Sequence, residues 1–196
     1  MIPFSDEAEH VGILRSVHGN LPNIFSRISA PNNALRAVLP AGLARGHRAN
    51  PAASLRIEIL YGVPKLLSGL ASLVPSKPEK DILHPHYKLS LERLQRLHKA
   101  TPEPVVCFLG GSLPSTALLE LRQISLFGMV SRLEQSSILH CHATSSLTVA
   151  KPSSRSWFLM VRDLCKKYSL PDPLLLLSNP PSKSAFKRLT KQRLFT

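Results

Sequence analysis

Seventeen prolines cut this 196-residue chain at short intervals, and they limit its fold more than any other feature. A proline inside a helix removes a hydrogen bond and clashes with the preceding turn, so short helices, often broken, are expected. Asn50 and Pro51 form a helix start, an N-cap followed by a first-turn proline, and the apolar run behind them reaches Val74 before "PSKP" stops it. Gly62 and Pro64 kink or divide that run. Upstream, "EHVGILRSV" reads as a short strand; Pro22 then permits a helix from about Asn23 to Leu39, ended by Pro40, with residues 40–50 a loop.

Downstream, Tyr87, Leu91, Leu94 and Leu97 recur at helical spacing, with Lys88, Glu92, Arg93, Arg96 and Lys99 facing elsewhere. "TPEP" breaks that helix, and "VVCFLGGSLP" reads as a strand or a buried turn. A helix spans Pro114 to Leu133, "TSSLTVAKPSSRS" reads as a flexible hinge, and helices follow in "SSRSWFLMVRDLCKKYSL" and, capped by Ser182, in "KSAFKRLTKQRLF" around a proline-bounded "PDPLLLLSNPP". The expected fold is therefore mainly α: an irregular multi-helix assembly of proline-broken helices with one or two short N-terminal strands.

Charge narrows the partner. Twenty-five Lys and Arg against 12 Asp and Glu give a net +13, and each phosphate neutralised by such a surface releases condensed counterions. Nucleic acid is the favoured partner class, against the plainer account of a solvated basic surface. Cys107, Cys141 and Cys165 are odd in number and far apart, which points to a reducing compartment. The start "MIPFSDEAEH" lacks the pattern of a secretory signal, and no run approaches the roughly 18 apolar residues of a membrane span. The expectation is a nuclear or cytoplasmic protein that is not secreted and has no membrane partner.

Sites for chemistry are scarce in the sequence. There are no paired aspartates in an apolar strand, no phosphate-binding Gly-rich loop, and no HExxH or GxSxG. "HCHATSS" offers His140, Cys141 and His142, but adjacent helical residues diverge by about 100°, so surface histidines near a helix end are the preferred account, and His84 and His86 are taken likewise. Asp81, Glu92, Glu103 and Glu120 read as surface charges, and Cys107 as a core residue. No catalytic residue, metal or cofactor is expected.

"DEAEHVGILRSVHGNLPNIFSRISAPNNALRAVLPAGLARGHRANPAASLRIEILYGVP" resembles the segment that follows the polymerase palm in reverse transcriptases of animal non-long-terminal-repeat retrotransposons. The resemblance continues in order through "LERLQRLHKATP", "FLGGSLP", "LRQISLFGMVSRL", "SWFLMVRDLCKKYSLPDPL" and "NPPSKSAFKRL", covering nearly the whole chain. It implies a palm-exit strand region at 1–19, a thumb-like helical region at 20–100, a helical continuation at 101–150 and a basic helical region at 151–196. The family's catalytic aspartates lie upstream of the matching segment, so no catalytic residue carries over and an inactive remnant is implied. Two departures suit a decayed or truncated copy: His84-Pro85-His86 replaces the family's usual two histidines, and "KQRLFT" stops where relatives continue. In a thumb, Arg45, His47 and Arg48, just before a helix N-terminus, and Arg56 about one and a half turns on, would track RNA or DNA phosphates without reading sequence. The simpler alternative is that these side chains make internal contacts. A basic helical protein-interaction module with no nucleic-acid role is a second class of function, and an enzyme whose site is assembled across the chain, in a cleft of convergent ionisable groups, is a third; none of them fixes an oligomeric state.

Overall fold

The computed structural model describes residues 7–10, 13–16, 19–38, 51–149, 151 and 154–194. It is mainly helical, and the chain divides into two compact units, residues 1–70 with 75–116, and residues 71–74 with 117–196.

The first unit begins with an antiparallel hairpin, β1 (Glu7–His10) and β2 (Ile13–Ser16), in register from Glu7 opposite Ser16 to His10 opposite Ile13. The single stretch read as a strand thus folds back on itself. Helix α1 spans Leu21–Val38. Helix α2 (Pro51–Ile57) passes directly into a π-helical turn at Glu58–Gly62, and α3 (Val63–Leu66) and a 3-10 turn at Leu70–Ser72 follow. The division expected around Gly62 and Pro64 is realised as this π turn. Gly69 adopts φ +75°, and a Cβ there would stand 2.7 Å from the Ile13 side chain. Only glycine suits both demands, so the hairpin seats on this turn.

Helix α4 (Lys77–Gln95) starts with a capping box: the Ser76 N–H donates to Glu79 Oε2 at 2.6 Å, and Asn20 Nδ2 reaches the same oxygen at 3.4 Å. Burial alone would raise the Glu79 carboxyl, but these donors hold it below its ordinary value. Pro85 lies inside α4 yet on its exposed face, where water can satisfy the carbonyl that loses its helical donor. Tyr87 and Leu91 are buried as the spacing predicts. The helix closes with Arg96 in the left-handed region and the Leu97 N–H on the Glu92 carbonyl at 2.9 Å.

"VVCFLGGSLP" is neither strand nor buried turn through its first half, because α5 runs Glu103–Leu109. Pro104 and Glu103 favour a helix start, and Gln95 Nε2 donates to the Val106 carbonyl at 3.0 Å. Val106 and Cys107 face inward. Tyr87 meets Ser112 through its hydroxyl, and burial pushes it up to about 12.

The second unit packs α6 (Ser115–Val130), α7 (Ile138–Val149), α8 (Trp157–Lys167), α9 (Pro173–Ser178) and α10 (Lys183–Leu194). Its core joins Ile124, Phe127, Ala143, Leu147, Phe158, Val161, Leu164, Leu176 and Phe186. Trp157 Nε1 donates to the Ala71 carbonyl at 2.8 Å, and Asp172 caps α9 by accepting the Leu174 N–H at 2.8 Å. The first part of the expected hinge is helix: "TSSLTV" belongs to α7, where Thr144 and Thr148 turn their hydroxyls back onto the His140 and Thr144 carbonyls, while Lys151 and residues 154–156 are non-helical. Internal satisfaction of those hydroxyls, together with burial of Ala143 and Leu147, outweighs the loop propensity of a serine- and threonine-rich run. Among the described residues, no helix is long and apolar enough to cross a membrane.

Candidate nucleic-acid interface

Of the four side chains expected to contact phosphates, Arg45, His47 and Arg48 lie outside the described residues. Arg56 stands in the last turn of α2 with its side chain exposed. Two residues further on, Glu58 is only 1% exposed. Ser90 Oγ donates to its Oε1 at 3.0 Å, and a Cβ on Gly62 would come within 2.3 Å of its Oε2. Burial raises the Glu58 carboxyl above its ordinary range, and the Ser90 bond offsets this only partly.

The structure corrects two of the four acids read as surface charges. Glu92 is 3% exposed and holds Lys88 at 3.2 Å; Glu120 is 5% exposed, with Lys167 Nζ at 2.6 Å and the Tyr168 hydroxyl also donating to it. Glu103 is half-buried against His84 Nδ1 at 3.0 Å, while Asp81 is exposed. Burial works against the Lys167 ammonium, but Glu120 outweighs it and holds the amine above its usual value. Tyr168 is pushed up by burial and then by Glu120. Packing decided these placements: each acid sits on a helix whose neighbours close over it, while a polar donor keeps the carboxyl hydrogen-bonded or paired. One signal was available in the sequence, the glycine four residues after Glu58, which removes the side chain that would otherwise fill the carboxyl's space.

The bases behave oppositely. Where burial is described no lysine or arginine is as buried as Glu58, Glu92 or Glu120: Arg56, Lys65, Arg93, Arg96, Lys99, Lys187, Arg188 and Lys191 are exposed, and Arg27, Arg122, Arg132 and Arg162 are half-buried. Glu92 and Glu120 offset Lys88 and Lys167 locally, and the cations exposed elsewhere carry the net +13.

The "HCHATSS" residues diverge. His140 is buried, with Nε2 3.4 Å from the Leu177 carbonyl, which corrects its assignment to the surface. Cys141 is exposed and donates to the Gln135 carbonyl at 3.2 Å, whereas His142 is exposed with its ring edge-on to Phe158 at 5.5 Å. A cleft of about 630 Å³ between α7 and α9 is lined by His140, Cys141, Thr144, Thr148, Leu174 and Leu177. Among the described residues no three His, Cys, Asp or Glu side chains gather as a metal site. Cys107 is a core residue, as expected, and burial pushes its thiol up to about 11, the Glu103 carboxylate adding to the rise. Comparison with known proteins finds no matching family model, no matching curated protein and no matching solved structure.

Proposed function

We propose that this chain is a catalytically inactive segment of a retroelement-type reverse transcriptase that binds RNA or DNA backbone without reading sequence. The retroelement assignment rests on the ordered phrases that resemble the family's post-palm region. The observation that carries the binding is the sorting of charge: three acids are buried, whereas most of the lysines and arginines whose burial is described are exposed. Such a surface attracts a polyanion through counterion release and needs no base-specific contact. Arg45, His47, Arg48 and Arg56 are the proposed phosphate contacts in the first half of the chain, which acts without metal or cofactor.

The alternative reading, a basic protein-interaction module, draws on the exposed apolar residues of α5, where Phe108 is 84% exposed beside Val105 and Leu109. Salt separates the two. The purified chain should bind single-stranded and primer-template oligonucleotides with similar affinity whatever their sequence, and more weakly as salt rises from about 50 to 200 mM. Replacing Arg45 and Arg48 by alanine should lower the log–log salt slope by about 1.4, at about 0.7 per single-strand phosphate contact. Binding that ignores salt would favour the interaction module. Incorporation of labelled nucleotide onto a primer with magnesium or manganese would refute the inactive assignment.

A further inference from the structure

The second unit is the more basic of the two. It carries 12 Lys and Arg against 4 Asp and Glu, a net +8. Five of those cations stand on α10, Lys183, Lys187, Arg188, Lys191 and Arg193, and α10 has no acid. All five are exposed, and among the described residues none forms a salt bridge. At 3.6 residues per turn, Lys187, Arg188 and Lys191 fall within an arc of about 100°, turned away from buried Phe186 and Thr190.

The helix is held firmly enough to present them. Phe186 is 4% exposed and lies over Gly128 of α6, with ring carbons 2.2 and 2.4 Å from where a Cβ would stand. Leu189 and Leu194 pack on the same core. Thr190 Oγ1 donates to the Phe186 carbonyl at 2.9 Å, so the buried face leaves its hydroxyl satisfied.

We propose that the outward face of α10, centred on Lys187, Arg188 and Lys191 and flanked by Lys183, is a second phosphate-contact surface for single-stranded nucleic acid. It rests on the proposed nucleic-acid binding and places a contact surface in the second unit. From Lys183 to Lys191 the helix rises about 12 Å, so these cations form a continuous stripe along it. Charge selects a polyanion. Two further features select nucleic acid over other acidic surfaces. A helix that lies on a membrane inserts a free apolar face, and that of α10 is already spent on the core. Protein interfaces centre on buried aromatic and Arg anchors seated in apolar pockets, whereas the outward face of α10 has no aromatic residue and its one arginine stands among lysines.

The test is fluorescence anisotropy of the full chain with a labelled oligo-dT of about 20 nucleotides across a salt series, using the triple variant Lys187→Gln, Arg188→Gln, Lys191→Gln. Glutamine matches lysine and arginine closely in helix propensity, so α10 is preserved. Three lost contacts at about 0.7 each lower the salt slope by about 2, and at about 0.1 M salt that corresponds to roughly 100-fold weaker binding. The charge-preserving Lys187→Arg, Lys191→Arg variant should bind like the parent. A parent that fails to bind sinks the proposed function and this surface with it. A parent that binds, beside a triple variant with equal affinity and slope, overturns only the α10 assignment. Should circular dichroism show the triple variant unfolded, the single reversal Lys187→Glu decides: about 5-fold or greater weakening sustains the surface, and no change overturns it. Binding to phosphatidylserine vesicles that the triple variant loses, with oligo-dT binding intact, also overturns it.

Discussion

Replacing Gly128 by alanine tests how α10 is held. The new Cβ would sit 2.2 Å from Phe186 Cε1 and 2.4 Å from Cδ1, whereas carbon pairs rest at about 3.5–4.0 Å. The ring must therefore retreat by more than 1 Å, roughly, inside a packed core. Overpacking of this kind costs about 1–3 kcal/mol, and a rigid ring buried to 4% exposure belongs near the top of that range. Alanine returns about 1 kcal/mol over glycine within a helix. The net expectation is a loss of about 1–2 kcal/mol, read as a lower urea midpoint with unchanged slope. In a Phe186→Leu background the ring edge is gone, and the same Gly128→Ala change should be neutral or stabilising by up to about 1 kcal/mol. A Gly128→Ala protein more stable than its parent, or an equal effect in both backgrounds, would show that Phe186 does not depend on that glycine.

Glu58→Gln should alter the pH dependence of stability. Burial holds the folded carboxyl above its ordinary value of 4.5, so the protonated form's contribution is complete below about pH 4.5 and is lost as pH rises through the folded value. The variant should gain on its parent between acid and neutral pH, and parallel pH–stability curves would count against a buried Glu58. Removing Glu120 as Glu120→Ala should cost about 2 kcal/mol, because the Tyr168 hydroxyl is left unpaired and the half-exposed Lys167 contributes little; Glu120→Gln, whose oxygen still accepts, should recover part of it in the same urea assay. Thiol titration of the native chain should find one fast thiol, Cys141, lost on Cys141→Ser, since Cys107 and Cys165 are buried and burial pushes the Cys165 thiol up to about 12. Three equally fast thiols would contradict that packing.

The sequence by itself determined most of the helical skeleton. Proline positions, the Ser182 cap and 3.6-residue spacing are local signals, and α4, α8 and α10 follow from them closely. Net charge and the apolar character of Cys107 were legible for the same reason, since each belongs to a residue or its near neighbours. Tertiary structure decided what depends on distant partners. Whether "VVCFL" became strand or helix turned on Gln95 capping it and on packing against α4, and the serine-rich end of α7 was fixed by its buried Ala143 and Leu147. The fate of each charge was likewise settled across the chain: Glu58 needed Ser90, 32 residues on, and Glu120 needed Lys167 and Tyr168, nearly 50 residues on. Burial of a carboxylate requires a partner that closes over it, and only the folded chain brings that partner near. The same packing turns the apolar face of α10 onto Gly128 and leaves its cations outward, a basic surface that composition could count but not locate.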